Sequence, residues 1–331
     1  MNLPFNYTKT KSHYVQYHNG ETWEQGHLQQ KENLEINPMS TSLQYGQEAF
    51  EGLKAYRGKD GRVRLFRIEE NAKRFIRSVT FLHMPAPTVD MFMEAVKQTV
   101  FDNIDYVPPY DSGGTLYIRP YMIGIGGQLP PAPSKHYLFG VVVMPVGQLF
   151  EPLKPISLKV THFDRAAPNG TGSYKVGGNY AASMHAQNEA KNAGYNDCLF
   201  LDPRTHEHIE EVGVANFFGI TNDNVYVTPE SPSILKGITN LSLQYIAAEE
   251  FNMDVIKRPV PIKELKTFKE VGACGTAAVI TPIEKIATDE QTLTYPKATN
   301  QNSITARLHN RLKNIQFGDE TPPKGWITFV N

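Results

Sequence analysis

Two cysteines, Cys198 and Cys274, are all that the 331-residue chain contains, and neither stands in a CxxC pair. Two thiols cannot build a disulfide framework, so a small secreted fold held by crosslinks is excluded. Neither sign of charge is in excess: 33 Lys and Arg face 34 Asp and Glu, a formal net charge of −1. A general binder of nucleic acid or of acidic membranes needs a basic surplus that is missing here. Long hydrophobic runs are missing too. The longest apolar stretch, residues 137–147 (YLFGVVVMPVG), is too short to span a bilayer. Residues 1–19 carry Asn2, Asn6, Lys9, Lys11 and His13 and no apolar run of the kind that directs export, so a cytoplasmic chain is expected. No HExxH motif occurs. His206 and His208 lie in the polar turn RTHEH and are read as solvated, so no metal site is expected. No Gx-Ser-xG nucleophile elbow occurs either.

Hydrophobic residues make up 40% and charged residues 20%, which suits a folded chain with a sizeable core. At ~100–200 residues per domain, two domains are expected. The division read from the sequence is a smaller domain over 1–146, a linker over the proline-containing 147–155, and a larger domain over 156–331. Residues 43–57 read as strand, turn and strand, and 62–66 alternate as a strand does. Ala72, Phe75, Ile76, Val79 and Leu82 recur at helical spacing, as do Phe92, Ala95, Val96, Thr99 and Val100 behind a capping Thr88. Residues 115–124 and 137–144 read as buried strands. In the second half, helices are expected over 179–194, over 239–251 with Thr239 at the cap, and over 303–316. Short strands are expected at 198–202, 215–221, 225–228, 253–257, 270–274 and 277–281. This is an α+β pattern without the strict alternation of a doubly wound sheet.

The most unusual segment is 169–182, NGTGSYKVGGNYAA, in which four glycines and two asparagines surround Lys175. A lysine held on such a tight element among aromatics can lose solvent, and desolvation lowers its pKa and makes it a nucleophilic amine. A solvated lysine on a surface loop is the plainer reading of the same composition. A phosphate loop is excluded, because no Gly directly precedes Lys175 and Val176 follows it. Residues 123–127 (IGIGG) lack the third glycine of a dinucleotide fingerprint and read as a strand end. In the pair Glu210-Glu211, one carboxylate should face inward and need a cationic or protonated partner. An ordinary strand-edge pair is the alternative. Ile238-Thr239-Asn240 opens a helix after Gly237, where free N–H groups suit phosphate. Thr276 follows a strand, and Arg67 sits between a strand and a helix. Singly, each of these is equally a cap or a surface residue.

Together the blocks resemble one family, the branched-chain amino-acid aminotransferases of fold type IV, which use pyridoxal 5′-phosphate. The carriers run from residue 45 to 326: YGQEAFEGLKAYRG (45–58), LFRIEENAKR (65–74), LYIRP (116–120), DRAAPNGTGSYKVGGNYAAS (164–183), IEEVGVANFFGIT (209–221), ACGTAAVITP (273–282) and IQFGDETPPKGW (315–326). The last two look most like bacterial members. The resemblance implies a two-domain fold like that of D-amino-acid aminotransferase, with the active site between the domains, and a homodimer. It implies that Lys175 forms the Schiff base with the cofactor and shuttles the proton, that Glu211 pairs with the pyridine nitrogen, and that Tyr180 bonds the ring oxygen. Arg67, Ile238, Thr239 and Thr276 fall where the family binds the phosphate. Tyr45, Phe50, Tyr117, Arg119, Val214 and Ala277 fall where it lines the substrate pocket. The reaction implied is transfer of the amino group between L-leucine, L-isoleucine or L-valine and 2-oxoglutarate by ping-pong half-reactions. Arg119, with Tyr45 and Tyr117 beside it, is the candidate for glutamate's second carboxylate.

Some positions depart from the pattern. Val214 replaces a residue that often carries a hydroxyl, Lys236 and Asn240 stand where Pro and Arg are common, and Tyr174 replaces a small residue before the lysine. Ala278 and Thr281 occupy the places of a redox CxxC, and residues 126–131 differ from the usual interdomain loop. Related alternatives are a D-amino-acid transaminase or an aminodeoxychorismate lyase of the same fold. A protein that binds the cofactor without catalysis is the alternative from another class.

Overall fold

The computed structural model describes residues 6–147, 153–296, 300 and 302–330. The chain forms two compact units: one of residues 1–148, 174–177 and 314–331, the other of 149–173 and 178–313. The division is therefore not the single cut that the sequence suggests, because two later segments return to the first unit. Residues 148–152 of the expected linker lie outside the described residues.

The first unit is an antiparallel sheet covered by helices. Its elements are β1 (His13–His18), β2 (His27–Gln29), α1 (Thr41–Tyr45), β3 (Glu48–Phe50), β4 (Leu53–Arg57), β5 (Val63–Phe66), α2 (Ile68–Phe81), α3 (Val89–Asp102), β6 (Thr115–Gly124) and β7 (Tyr137–Val146). The strand Ile327–Phe329 adds to β5, and the order continues β5-β4-β6-β7-β1-β2, with β3 also on β6. Alternation along the strands separates two faces. Leu53, Ala55, Val63, Leu65, Leu116 and Ile118 enter the core with Phe75 of α2 and Phe92 of α3. The ring of Phe75 lies 5.3 Å from that of Phe92 and 5.5 Å from that of Phe139. The expected cap holds: Thr88 Oγ1 accepts the Met91 N–H at 3.1 Å. Residues 43–45, expected in a strand, are helical instead. Gly46 takes the left-handed conformation (φ 64°) and its N–H closes on the Ser42 carbonyl, a helix-ending geometry that outweighs the aromatic pattern.

One charged group lies in the heart of this unit. Glu51 is wholly buried and takes a two-pronged contact from Arg74, Nε to Oε1 at 2.6 Å and Nη2 to Oε2 at 2.8 Å. Asn71 Nδ2 donates to Oε2 at 2.7 Å and the Gly52 N–H at 3.1 Å. Burial pushes the carboxyl up, but Arg74, the field of Lys175 and the Asn71 bond outweigh it, so the group ends below the usual carboxylate range.

The second unit contains β8 (Ile156–Val160), α4 (Gly177–Asn192), β9 (Asp197–Leu201), β10 (His208–Val212), β11 (Ala215–Thr221), β12 (Tyr226–Pro229), α5 (Ile238–Tyr245), β13 (Val255–Arg258), β14 (Val260–Pro261), β15 (Phe268–Gly275), β16 (Val279–Ala287), β17 (Thr292–Thr294) and α6 (Ile304–Phe317). The first residue of α4 and the last turn of α6 count with the first unit. Strands β11, β15, β16, β8, β9 and β10 pair in a closed ring, since β10 also pairs with β11. Closure leaves those strands no free edge. Phe217, Val271, Ala273, Leu158, Leu199 and Ile283 belong to the buried cluster of this unit. The pairs β8–β9, β8–β16 and β12–β13 are parallel and the rest antiparallel, an α+β arrangement.

Strands β1, β8 and β10 have no counterpart in the sequence reading. Ala277, expected to begin a strand, lies in the turn before β16. The helix expected over 239–251 begins one residue earlier, with Gly237 rather than Thr239 at its cap, and passes into a π-helical turn over Ile246–Glu250. Among the described residues no helix is long and apolar enough to cross a membrane.

Arg74→Met leaves Glu51 buried without its cation. It should cost ~3–5 kcal/mol of stability, read as a lower denaturant midpoint, and the double variant Glu51→Met/Arg74→Met should regain much of that loss. The depressed carboxyl adds its stability above the ordinary carboxylate pKa, and that contribution should fade as pH falls through the lower folded value.

Candidate active site

The residues singled out from the sequence fall into two sets, one in each unit. In the first unit, Lys175 is half-buried and held by its backbone. Its N–H donates to Ser78 Oγ at 3.0 Å, and its carbonyl accepts the Phe50 N–H at 3.0 Å. Val176 bridges to Ala49 and enters the core. A methyl on Gly177, which follows, would meet the carboxylate end of Glu48, and that side chain would have to move. The Lys175 ammonium lies 4.9 Å from the centroid of the Phe50 ring. The Arg119 guanidinium covers the same ring at 4.5 Å, and its Nη2 donates to the Tyr117 hydroxyl at 2.9 Å. Arg119 Nε is buried and has no hydrogen-bond partner among the described residues. Arg119, Phe50, Tyr117 and Lys175 thus lie together on one face. The Tyr45 hydroxyl donates to the Leu129 carbonyl. Arg67 caps α2 in a left-handed conformation (φ 50°), with its guanidinium 4.8 Å over Trp326. Burial draws that guanidinium below its ordinary value, and Glu70 opposes the shift.

In the second unit the two adjacent acids are both buried, not one of them as the strand pattern suggests. The cause is local. Between Ile209 and Val212, β10 carries an extra residue relative to β9, a bulge of the kind that re-aims side chains. Glu210 accepts from the hydroxyls of Ser231, at 2.7 Å, and Ser233. Glu211 Oε1 accepts the Leu235 N–H at 2.8 Å and Asn216 Nδ2 at 3.4 Å, while Oε2 forms an ion pair with Arg165 Nε at 3.3 Å. Asn216 Nδ2 also bonds the Leu235 carbonyl at 2.9 Å, and a methyl on Gly237 would overlap Asn216 Oδ1. The acid and the start of α5 are therefore one structure. Gly237 offers no side chain to cap the helix, so the first N–H groups, at Ile238 and Thr239, face outward from its end.

Residues 213–214 make a two-residue hairpin between Val212 and Ala215, with Gly213 at φ 52°. Val214 stands at its tip, 44% exposed. Thr276 and Ala277 form part of the turn between β15 and β16, and Val279 closes it at φ 55°, a strained value for a β-branched residue. Tyr180 lies in the first turns of α4. Asn240 proves structural: it accepts the Tyr226 hydroxyl at 2.8 Å and donates to Thr228 Oγ1 at 2.9 Å, tying α5 to β12. Cys198 and Cys274 are both buried, and burial pushes both thiols well above their usual value.

Two residues escaped the sequence reading. Arg165 is the buried cation that Glu211 requires. Its Nη2 donates to the carbonyls of Gly172, at 3.2 Å, and Ser233. The adjacent acid had signalled a partner without saying which of the 33 Lys and Arg it was. Lys54 is the other. It pairs across the sheet with Tyr117 and so shares that residue's face. It is 3% exposed and has no ion pair or hydrogen bond among the described residues. Burial pulls its ammonium down to about 8. A single lysine inside an alternating strand gives no signal of this.

The Amino-transferase class IV family model matches residues 48–286. The chain is 45% identical to the branched-chain-amino-acid aminotransferase of Haemophilus influenzae, over 99% of this chain and 98% of that protein. It is also 45% identical to the enzyme of that name from Helicobacter pylori, over 98% and 96%. Among solved structures, the branched-chain aminotransferase of the thermophilic archaeon Thermoproteus uzoniensis, with norvaline, superposes with a TM-score of 0.79 at 25% identity, covering 97% of this chain and 100% of that one. The Escherichia coli branched-chain amino acid aminotransferase gives 0.77 at 27%, over 97% and 100%. The chain belongs to the class IV aminotransferase family and has its fold. Within that family, these two relatives, which match it end to end, are named branched-chain-amino-acid aminotransferases.

Lys54→Met should raise stability at pH 7. A shift from 10.5 to about 8 corresponds to ~3 kcal/mol as an upper bound. The sign follows from linkage: below pH 8 the folded chain carries a buried charge that the unfolded chain keeps in water. The gain over wild type should shrink as pH rises from about 8 toward 10.5, which denaturant curves across that range will read.

Proposed function

We propose that this chain transfers the amino group between L-leucine, L-isoleucine or L-valine and 2-oxoglutarate, with pyridoxal 5′-phosphate as cofactor, as a cytoplasmic homodimer. Class IV aminotransferases use that cofactor, and the donor set of this chain fits it. A protonated pyridine nitrogen needs a buried carboxylate, and Glu211 is one, paired with Arg165 and held by Asn216 and the Leu235 N–H. A phosphate needs a cradle of N–H groups, hydroxyls and a guanidinium. The open end of α5, Thr239, Thr276 and Arg67 are of those kinds. When bound, the cofactor supplies an electron sink for the substrate Cα.

The observation that carries the reading is the bulge in β10. It accompanies the burial of Glu211, whose Oε1 accepts the Leu235 N–H on the approach to the phosphate-suited helix. Lys175, with its backbone fixed on both sides, would hold the cofactor through Nζ and then move the proton to and from Cα. Tyr180 would bond the ring oxygen. Arg119, aligned by the Tyr117 hydroxyl, would receive the distal carboxylate of glutamate, while Phe50 offers an apolar wall to a branched side chain. Tyr45 would line the same pocket. Val214 has no hydroxyl to give the α-carboxylate, so the backbone N–H groups of Thr276 and Ala277 would take it.

Purified protein loaded with cofactor should lose its visible absorbance on adding L-leucine and regain it on adding 2-oxoglutarate. Reaction with D-alanine and not L-leucine would overturn the choice of substrate, and a coloured protein inert to every amino acid would overturn catalysis. Lys175→Ala should abolish the lysine-bound band and reduce turnover by at least ~10²–10⁴-fold, the range for a positioned acid–base group. Arg165→Ala should weaken cofactor retention, measured as the apparent Kd for pyridoxal phosphate, more than it lowers the melting temperature.

A further inference from the structure

Tyr174 is a departure from the family pattern that the proposed chemistry does not use. Its ring lies on that of Phe81 with centroids 3.9 Å apart and planes 16° from parallel. Phe81 ends α2, one turn beyond Ser78, the hydroxyl that receives the Lys175 N–H. Positions 78 and 81 share a helix face. Ser78 is fully buried, and its own hydroxyl proton goes to the Arg74 carbonyl at 3.1 Å, which leaves a lone pair for the lysine peptide. A single face of α2 thus meets Tyr174 and Lys175 in succession, and β3 takes Val176. Tyr174 and Val176 both pack against the core of the first unit, and between them the Lys175 ammonium lies by the Phe50 ring.

We propose that Tyr174, through its stack on Phe81, is a positioning residue for Lys175. The inference rests on the reading of Lys175 given above. Val176 and the bond to the Lys175 carbonyl hold the segment after the lysine, and the Ser78 bond and the stack hold the peptide before it. Phe81 is 40% exposed, so loss of the stack opens no cavity in the core.

The test uses full-length chains carrying Tyr174→Phe, Tyr174→Leu, Phe81→Leu and the Tyr174→Leu/Phe81→Leu pair. Exchange of the Lys175 backbone amide is measured without cofactor, and the pH midpoint of the visible band is measured with pyridoxal phosphate. Each single Leu variant should speed exchange of that amide about 2- to 10-fold, the range for one aromatic pair. The double variant should exchange no faster than either single one, Tyr174→Phe should match wild type, and amides of β9 should not change. The band's midpoint should move in the Leu variants and stay in Tyr174→Phe. Wild-type exchange in Tyr174→Leu beside a normal band would overturn the role of the stack alone. Additive effects of the two Leu substitutions would overturn it as well. A wild-type chain that takes up no pyridoxal phosphate would instead overturn the reading of Lys175 on which the role depends.

Discussion

A carboxylate kept away from water must be met by donors, and much of the second unit is arranged around meeting that demand at Glu211. Its partners come from distant parts of the chain. Arg165 lies on the loop after β8, Asn216 on the next strand, and Leu235 on the approach to α5. Each partner also holds something else. Arg165 binds the carbonyls of Gly172 and Ser233, and Asn216 binds the Leu235 carbonyl and fills the space that Gly237 leaves open. Removing the acid would therefore loosen the start of the helix as well as the charge itself. The bulge in β10 makes this possible, because it lets two successive acids both be buried, with separate sets of donors.

The first unit solves the same problem with a different aim. Glu51 and Arg74 form a closed, fully buried pair, and nothing in the proposed chemistry draws on either directly. The helix of Arg74 also carries Ser78 and Phe81, which hold the peptide of Lys175 and the ring before it. Lys54 stands in contrast: it is buried without a partner among the described residues, on the sheet face that also carries Tyr117 and Arg119. Burial disfavours its charge there. The departures noted from the sequence separate along the same line. Asn240 is bonded into the core of its unit, whereas Val214 is exposed at a hairpin tip.

Local elements with a strong physical signature were legible. Thr88 caps its helix because a hydroxyl before an apolar period has few better uses, and the runs at 115–124 and 137–146 are strands because they are apolar and β-branched. The helix at 41–45 was not legible, since its cause is one glycine in a left-handed conformation after a stretch rich in strand formers. Strands β8 and β10 were missed for another reason: each is short, and its identity comes from partners far away in the chain.

The resemblance of its blocks to a family singled out Glu211 and the residues suited to a phosphate; from the order of residues alone came the α+β class of fold and the lysine among glycines. These rest on covalent chemistry and on nearest-neighbour patterns, which a linear chain carries in full. Folding decided which cation neutralises Glu211, that Glu210 is buried beside it, that Lys54 is buried away from any acid among the described residues, and that residues 174–177 are built into the first unit and not the one that flanks them. Those outcomes depend on which groups, far apart in the chain, are brought within a few ångströms in a dry interior, where the energy of a charge is set by its surroundings and not by its neighbours in sequence.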